Sequence, residues 1–469
     1  MAWYIWLGIV AAILGIAWAI DTWLLPKPVI RPLVLRLFNK DEKRPPKTGG
    51  SSESSGITVQ IPTPPTGSGR VTVTIDYVDG LPEAAPEIRD PFLEGRKLEE
   101  KYKYREAIQQ YKACLQLETT LSQRAALHIL IGSCFYHMSE LEEAEGHYRQ
   151  AETAAKEAED NKGLASALGN IGIIYQTRGE LDKALQYHQQ SLEIDKEIEN
   201  REGEANSLGN IGSIYIIKGE LDKALDTFQQ ILKTYREIGD RRDEAAALGN
   251  IGLIYQTRGE LDKALDYLHK ALKIQKEIGD RIGEAKQLGN IGITYKTKGE
   301  LDKALDYHQQ ALKLNREIGR KEGQASALGN IGSIYIIQWE LDKALEMYEQ
   351  VLKAEREIGR RWGEANALSG IGIIYQLNGE LDKALEYYQQ ALNIDSEIGG
   401  KDSEARELNN IGILYAEKGE PDKALDYHEQ ALKIFEQIGA KLQIEQTKQN
   451  IQEIKESMKK TKGRKSGAV

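Results

Sequence analysis

Residues 168–172 read LGNIG, and the same five letters return every 40 residues, at 208–212, 248–252, 288–292 and 328–332. A fixed period of a few tens of residues is typical of stacked repeat units, because each unit buries its apolar face against the next one. A chain of 469 residues would otherwise suggest about three globular domains. The period instead predicts one array of similar units.

Each period contains two helical patterns separated by a glycine. In the copy at residues 164–199, apolar or small side chains recur at positions i, i+3, i+4 and i+7 of a first helix, namely Leu168, Ile171, Gly172 and Tyr175. Gly179 interrupts this pattern. A second helix then begins with the acidic sequence ELDKAL, whose carboxylates suit the positive end of a helix dipole. The repeating unit is therefore expected to be a helical hairpin.

The marker residues of this copy resemble the tetratricopeptide (TPR) pattern, in which apolar-Gly-x2-Tyr is followed by Ala-x3-aromatic. They are Leu168, Ile171, Gly172, Tyr175, Ala184 and His188, with Leu for the usual Trp and His for the aromatic residue. The 40-residue period and the Leu-Gly-Asn triplet are similar to the long repeats of kinesin light chains and of the Leu-Gly-Asn repeat (Partner of Inscuteable) proteins. The resemblance covers residues 92–450 and implies an all-α TPR α-solenoid, a right-handed superhelix of hairpins.

Composition divides the chain into five expected segments. They are a transmembrane anchor at 1–25, a Pro/Gly/Ser-rich linker at 26–88 in which 57–78 could form a β-hairpin, nine TPR-like hairpins at 89–440, a capping helix at 441–460 and a basic disordered tail at 461–469. The cap is inferred from Gln452, which stands where the marker glycine is expected. An open-ended array needs such a polar terminal helix for solubility.

The N-terminal stretch predicts a membrane anchor. Residues 2–20 are uncharged and almost wholly apolar, and a helix of that length spans roughly 28 Å, close to the thickness of a bilayer core. Basic residues follow the stretch and none precedes it, so the positive-inside rule places the repeats on the cytoplasmic side of a single-pass protein. The alternative is a signal peptide cleaved after AWA at 17–19, which would give a secreted binding module.

Several function classes are disfavoured. The chain has 72 acidic and 62 basic residues, whereas a nucleic-acid partner requires concentrated positive charge. Two cysteines are too few for a disulfide framework, and no phosphate-loop sequence or Ser-His-Asp arrangement occurs. His188, His308 and His428 are 120 residues apart at equivalent positions, where we expect packing rather than metal binding. The sequence predicts no enzyme activity and no cofactor.

The asparagine of the LGN triplet is the main candidate for function. Its stripe on the first helix is centred about 150° from the stripe of the hairpin core, and it carries amides and apolar groups where a merely solvated helix would carry charge. In TPR proteins the first helices line a concave groove. The resemblance therefore implies a ladder that holds the backbone of an extended peptide, formed by Asn170, Asn210, Asn250, Asn290, Asn330 and Asn410.

A carboxamide suits this role because it offers both a donor and an acceptor, as a peptide group does. Variable positions six residues further along would give selectivity, namely Gln176, Ile216, Gln256, Lys296, Ile336 and Gln376. At Gly370 the triplet reads LSG and the ladder is broken. The expected function is a membrane-tethered scaffold for a protein or peptide partner. Two alternatives stay open: the asparagines could bridge adjacent repeats without any ligand, or the solenoid could self-associate as a structural element.

Overall fold

The structure, a computed structural model, describes residues 81–466. The predicted anchor at 1–25 and the predicted hairpin at 57–78 lie outside this range. Within it the chain forms helices joined by short turns, and no strand occurs there. The helices are α1 (Pro86–Glu100), α2 (Tyr104–Leu115), α3 (Leu121–His137), α4 (Leu141–Glu157), α5 (Asn161–Thr177), α6 (Leu181–Glu197), α7 (Arg201–Ile217), α8 (Leu221–Ile238), α9 (Arg241–Thr257), α10 (Leu261–Glu277), α11 (Arg281–Thr297), α12 (Leu301–Glu317), α13 (Lys321–Ile337), α14 (Leu341–Ile358), α15 (Arg361–Leu377), α16 (Leu381–Glu397), α17 (Lys401–Glu417), α18 (Pro421–Ile438) and α19 (Lys441–Ser466).

Over the described range these helices pair into nine hairpins, each with an odd-numbered first helix and an even-numbered second helix, followed by α19. The turn inside a hairpin depends on a left-handed residue. In the hairpin of α5 and α6, Gly179 has φ +79°, and the Glu180 amide then donates to the Tyr175 carbonyl at 2.9 Å. Glycine adopts this conformation without the clash that a Cβ brings, which explains its recurrence at the turn.

The marker glycine of the first helix allows the two helices of a hairpin to approach closely. Gly172 faces the ring of His188, and Gly372 faces the ring of Tyr388. A Cβ on Gly372 would lie 2.8 Å from the nearest atom of the tyrosine ring, which is closer than side chains pack. Both partner side chains are buried, so the small residue and the large one together fill the space between the helices.

Contacts divide the described residues into two compact units. The N-terminal unit ends at Asp280 and contains α1–α10, and the C-terminal unit begins at Arg281 and contains α11–α19. Within each unit the second helix of one hairpin packs on the first helix of the next, as α6 does on α7 and α14 does on α15. In the C-terminal unit, Ile454 of α19 joins a buried cluster with Tyr415 and Ala424. The helix α19 continues to Ser466, beyond the predicted cap.

The structure contradicts the predicted localisation as a single-pass membrane protein. Between residues 81 and 466, no helix combines the length and the apolar character that a bilayer crossing requires. The physical reason lies in the repeat: a helix such as α6 has only 17 residues, and six of them are charged. The apolar stretch at 2–20, on which the prediction rested, lies outside the described residues.

Candidate functional site

First helices lie side by side within each unit. In the N-terminal unit α3 contacts α5 and α5 contacts α7, and in the C-terminal unit α11 contacts α13. These contacts come in addition to those with sequence neighbours, so successive hairpins approach most closely on the side of their first helices. We call the solvent-accessible residues of α7 and α9 in one unit, and of α11 and α13 in the other, the first-helix surface of that unit.

Beyond the first turn of each helix, the first-helix surface carries little charge. The accessible charged residue in this later part is Lys286 of α11. In α13 the later side chains that reach solvent include Ser326, Asn330, Ser333 and Ile337. In α7 the corresponding residues are Asn206, Ser213, Ile216 and Ile217. The second helices are different. The helix α12, for example, exposes acids and lysines on several of its turns. A helix face of amides, hydroxyls and isoleucines is typical of a contact surface rather than of a solvated one.

The six ladder asparagines fall into two groups. Asn170, Asn210 and Asn410 are buried, with 0%, 6% and 7% of their surface exposed. Asn250, Asn290 and Asn330 are half-buried and lie on the first-helix surface. The prediction treated all six as equivalent, and the structure distinguishes those that a ligand could reach directly from those enclosed by neighbouring hairpins.

Several ladder side chains also have hydrogen-bond partners within their own helix. The Nδ2 atom of Asn330 donates to the Ser326 carbonyl at 3.1 Å, and that of Asn290 donates to Gln287 Oε1 at 3.4 Å. Asn410 is hydrogen-bonded to the buried Glu407. In these bonds of Asn330 and Asn290 only an amide hydrogen is used, so the side-chain oxygen keeps its capacity to accept.

Four of the six predicted selectivity positions are buried. Ile216 is exposed and Gln176 is half-buried, whereas the other four are buried, namely Gln256, Lys296, Ile336 and Gln376. Lys296 Nζ donates to Ser333 Oγ at 3.2 Å, and Gln376 Nε2 donates to Glu417 Oε2 at 3.1 Å. Lys296 and Gln376 thus each join one first helix to the next.

Buried ionisable groups shape the electrostatics of the C-terminal unit. Desolvation lowers the pKa of Lys296 to about 8 and that of the neighbouring His308 to about 3. Burial raises the pKa of Glu407 and of Glu417 to about 7 each. The surroundings of each of these groups favour its neutral form, whereas a side chain surrounded only by water keeps its ordinary pKa.

Sequence reasoning missed a polar cavity in the N-terminal unit. It lies between α5, α6 and α7 and is lined by Asp195, Ser191, Ser207 and Asn210 among others. The signal was present in the sequence: Ser191 stands where other copies of the second helix have an apolar residue, for example Ile231. Aligning the repeats position by position would have revealed this polar replacement in a core position.

No metal site is formed by the described part of the chain, where no three His, Cys, Asp or Glu side chains are grouped to hold an ion. His188 and His428 instead pack against the marker glycines Gly172 and Gly412. The arrangement offers hydrogen-bond donors and acceptors beside apolar groups, and it suits recognition of a polypeptide better than chemistry on a small molecule.

Solved structures share this fold at low sequence identity. The apo form of the quorum sensor NprR from B. thuringiensis is 14% identical, with a TM-score of 0.52 over 74% of this chain and 98% of that chain. The TPR-sensor protein PH0952 from Pyrococcus horikoshii, a Signal Transduction ATPase with Numerous Domains, is 18% identical, with a TM-score of 0.50 over 74% of this chain and 54% of that chain.

A putative kinesin light chain with nearly identical TPR-like repeats from Podosopora anserina is 16% identical, with a TM-score of 0.36 over 41% of this chain and 95% of that chain. No curated protein sequence matches. The family model described as tetratricopeptide repeat matches residues 123–197, 203–277, 243–317, 283–357 and 363–437. These matches cover more than half of the chain, which therefore belongs to the tetratricopeptide-repeat family.

Proposed function

We propose that this protein is a non-enzymatic scaffold whose units each bind an extended segment of a partner protein along their own first-helix surface. One observation supports the proposal above all. The first helices of these surfaces expose almost no charge beyond their first turn, whereas the second helices with which they pair expose many charged side chains. Asn250 in the N-terminal unit, and Asn290 and Asn330 in the C-terminal unit, lie half-buried on these surfaces, and we expect them to hold the peptide backbone at their own unit.

The dimensions are compatible with an extended chain. Packed helices lie about 8–10 Å apart, and about three residues of extended polypeptide cover that distance. Each backbone hydrogen bond contributes only about 0.5–1.5 kcal/mol net, so affinity must come from several of them together with apolar contacts. Ile216 and Ile217 in the N-terminal unit and Ile337 in the C-terminal unit are exposed and can supply such contacts.

Buried members of the predicted ladder have a different role in this proposal. Asn170, Asn210 and Asn410 support the packing between hairpins, and the enclosed Lys296, Ile336 and Gln376 fix the spacing of neighbouring first helices in the C-terminal unit. Selectivity would then depend on the accessible positions between them, such as Asn206 and Ser326. The accessible residues contact the ligand directly. The buried residues act indirectly, because they set the distance between the asparagines of neighbouring first helices.

The test is a peptide-display selection on the full chain, followed by affinity measurements on the selected peptides. A variant with Asn250, Asn290 and Asn330 changed to alanine should bind at least tenfold more weakly, since each substitution removes one hydrogen bond. The matched control changes the exposed Asn161, Asn378 and Asn393 to alanine and should bind as the wild type does. N-methylation of the peptide amides should also weaken binding.

Equal affinity of the wild type and the ladder variant, at unchanged circular dichroism, would remove the asparagines from the proposal. Failure to select any peptide would contradict peptide binding as a whole. Sedimentation of the full chain over a hundredfold dilution examines the alternative of self-association. An oligomer that persists on dilution and blocks peptide binding would favour that alternative.

A further inference from the structure

The polar cavity of the N-terminal unit has a volume of about 60 Å³. Its wall includes Ser166, Gly169, Ser191, Asp195, Ser207 and Asn210. Sites for drug-sized ligands have volumes of roughly 300–1,000 Å³, so this cavity admits only the end of one side chain or a few water molecules. Asn206, which is half-buried on the first-helix surface, also lines it, and the cavity therefore opens toward that surface.

Asp195 at the wall of this cavity is incompletely hydrogen-bonded. Asn200 Nδ2 donates to its Oδ1 at 2.7 Å. Ser191 has one hydroxyl hydrogen and its shortest contact, at 2.8 Å, is with the Ala165 carbonyl. Ser207 lies 3.1 Å from Ser191 Oγ and 3.3 Å from Asp195 Oδ2, and its single hydrogen serves one of them. Ser191 Oγ also lies 3.5 Å from Asp195 Oδ2, so the carboxylate accepts from Asn200 and from one or both hydroxyls, fewer than the about four hydrogen bonds that it can accept.

The charge of Asp195 is compensated by none of its hydrogen-bond donors, although the exposed Lys162 also lines the cavity. The side chain is 3% exposed, and its hydrogen-bond donors are neutral. Arg201, at the start of α7, is engaged with Glu204 at 3.0 Å, and the charged neighbour that acts on Asp195 is the acid Glu204. Burial raises the pKa of Asp195 to about 6, so the carboxyl is still mainly ionised at pH 7. A buried anion of this kind is costly unless a cation approaches it.

We propose that this cavity receives the ammonium group of a lysine side chain from the bound peptide. The inference rests on the proposed function and names one element of the ligand. An ammonium is a compact point charge with three donors, which matches the small volume and the acceptors of Asp195, Ser191 and Ser207, whereas a planar guanidinium with five donors is too large.

The C-terminal unit contains a matched comparison. Asp395 occupies the same position of its second helix as Asp195 does, 200 residues later, and it is buried as well. There Ala391 replaces Ser191 and Glu407 replaces Ser207, so the two small hydroxyl groups are absent. Both units thus have a buried aspartate at this position, but only Asp195 has the two serines beside it.

The experiment uses n-butylammonium as the probe for the lysine side chain and n-butanol as its neutral counterpart. Saturation-transfer NMR on the full chain should show binding of n-butylammonium to the wild type and to Asp395→Asn, and a loss of at least fivefold in Asp195→Asn. The alcohol should give no comparable signal. Equal binding by Asp195→Asn, or an equal signal from n-butanol, would overturn the proposal.

A second variant keeps the test decisive if Asp195→Asn fails to fold. In Gly169→Ala, the new Cβ would lie 3.5 Å from Ser191 Oγ, an ordinary contact, so the helix should tolerate it while the cavity narrows. Loss of the n-butylammonium signal in Gly169→Ala supports the proposal and an unchanged signal contradicts it.

The display selection separates failure of this inference from failure of the proposed function. If selected peptides depend on the ladder asparagines but bind equally well after their lysines are replaced by norleucine, only the lysine cavity is wrong. If n-butylammonium binds and no peptide is selected, the cavity still binds an ammonium group, but the inferred peptide lysine is overturned together with peptide binding.

Discussion

The ring of Tyr348 in α14 lies against Gly370 in α15, at the one position where the repeated asparagine triplet is interrupted by glycine. A Cβ on Gly370 would be 2.6 Å from Tyr348 Cδ1, far inside van der Waals contact. The same ring also faces the marker glycine Gly332, where an added Cβ would lie 2.9 Å from Tyr348 Cε2. Tyr348 therefore fills the space between two first helices, and the missing asparagine has a packing reason.

Gly370→Asn should consequently destabilise the C-terminal unit by about 1–3 kcal/mol, the usual cost of overpacking a filled core. The measurement is the thermal unfolding midpoint by circular dichroism. Gly289→Ala is the control, because nothing lies within 4 Å of the added Cβ there and the midpoint should not fall. Adding Tyr348→Leu should recover much of the loss. A Gly370→Asn variant as stable as the wild type would contradict the packing explanation.

Lys296→Met should raise the stability of the protein at pH 7. Lys296 is 8% exposed, and burial holds the pKa of its ammonium at about 8, below the ordinary value of 10.5. Because the folded state disfavours the charged form, the charge destabilises the fold at pH 7, and stability is gained as pH rises through 8 toward 10.5.

The check is the increase in thermal midpoint that Lys296→Met brings over the wild type, which should be larger at pH 7 than at pH 9. Lys313→Met, at an exposed position of α12, serves as control and should bring no increase that depends on pH. A Lys296→Met variant that is less stable than the wild type at pH 7 would show that the bond to Ser333 outweighs the cost of desolvation.

Three carboxyls, those of the buried Asp395 and Glu407 and of the half-buried Glu417, predict that the C-terminal unit becomes less stable as pH rises. Burial raises the pKa of Asp395, Glu407 and Glu417 to about 7, from ordinary values of 3.8 for Asp and 4.5 for Glu. A carboxyl whose pKa is raised in the folded state contributes its full stabilisation of the fold below its unfolded pKa of about 4. This contribution is lost progressively as pH rises from about 4 through about 7. Burial lowers the pKa of His308 to about 3 and that of His428 to about 4, which offsets part of this loss up to about pH 6.5. We therefore expect the thermal midpoint to fall mainly between about pH 6 and pH 8.

Glu407→Gln should reduce that fall, because glutamine keeps the hydrogen-bonding shape and cannot ionise. The gain at pH 8 should be up to about 3 kcal/mol, because the folded-state pKa of Glu407 lies about 2.5 above its ordinary value. Glu349→Gln, at an exposed position of α14, is the control and should follow the wild-type pH profile. Parallel profiles for Glu407→Gln and the wild type would show that Glu407 does not titrate in this range.

Most of the fold prediction rested on two periodicities, the 40-residue repeat and the helical spacing of apolar residues. The spacing of Leu168, Gly172 and Tyr175 predicted a helix, and Gly179 predicted its end; in the structure α5 ends at Thr177 and the turn passes through Gly179. Such features are local, since glycine is required wherever φ is positive or two helices approach closely. Repetition then made one hairpin a template for the others.

The accessibility of the candidate site could not be predicted in the same way. A helical wheel places Asn170 and Asn250 at the same angle, yet Asn170 is buried and Asn250 is half-buried. The difference depends on which side chains the neighbouring hairpin brings to that angle, and this is a non-local property. Tyr348 shows the same limit, because its contact with Gly370 joins two different repeats.

Trp339→Gly should stabilise the turn between α13 and α14. Trp339 has φ +59° and is 44% exposed, at the position where most other hairpin turns have glycine. A left-handed conformation costs an L-residue roughly 1–2 kcal/mol, and the exposed indole loses little burial when it is removed. The thermal midpoint should therefore rise, by about 2–4 °C per kcal/mol for a unit of this size. The reciprocal variant Gly379→Trp, in the next hairpin, should lower it. If Trp339→Gly instead lowers the midpoint, the indole makes contacts that outweigh the strain of its backbone.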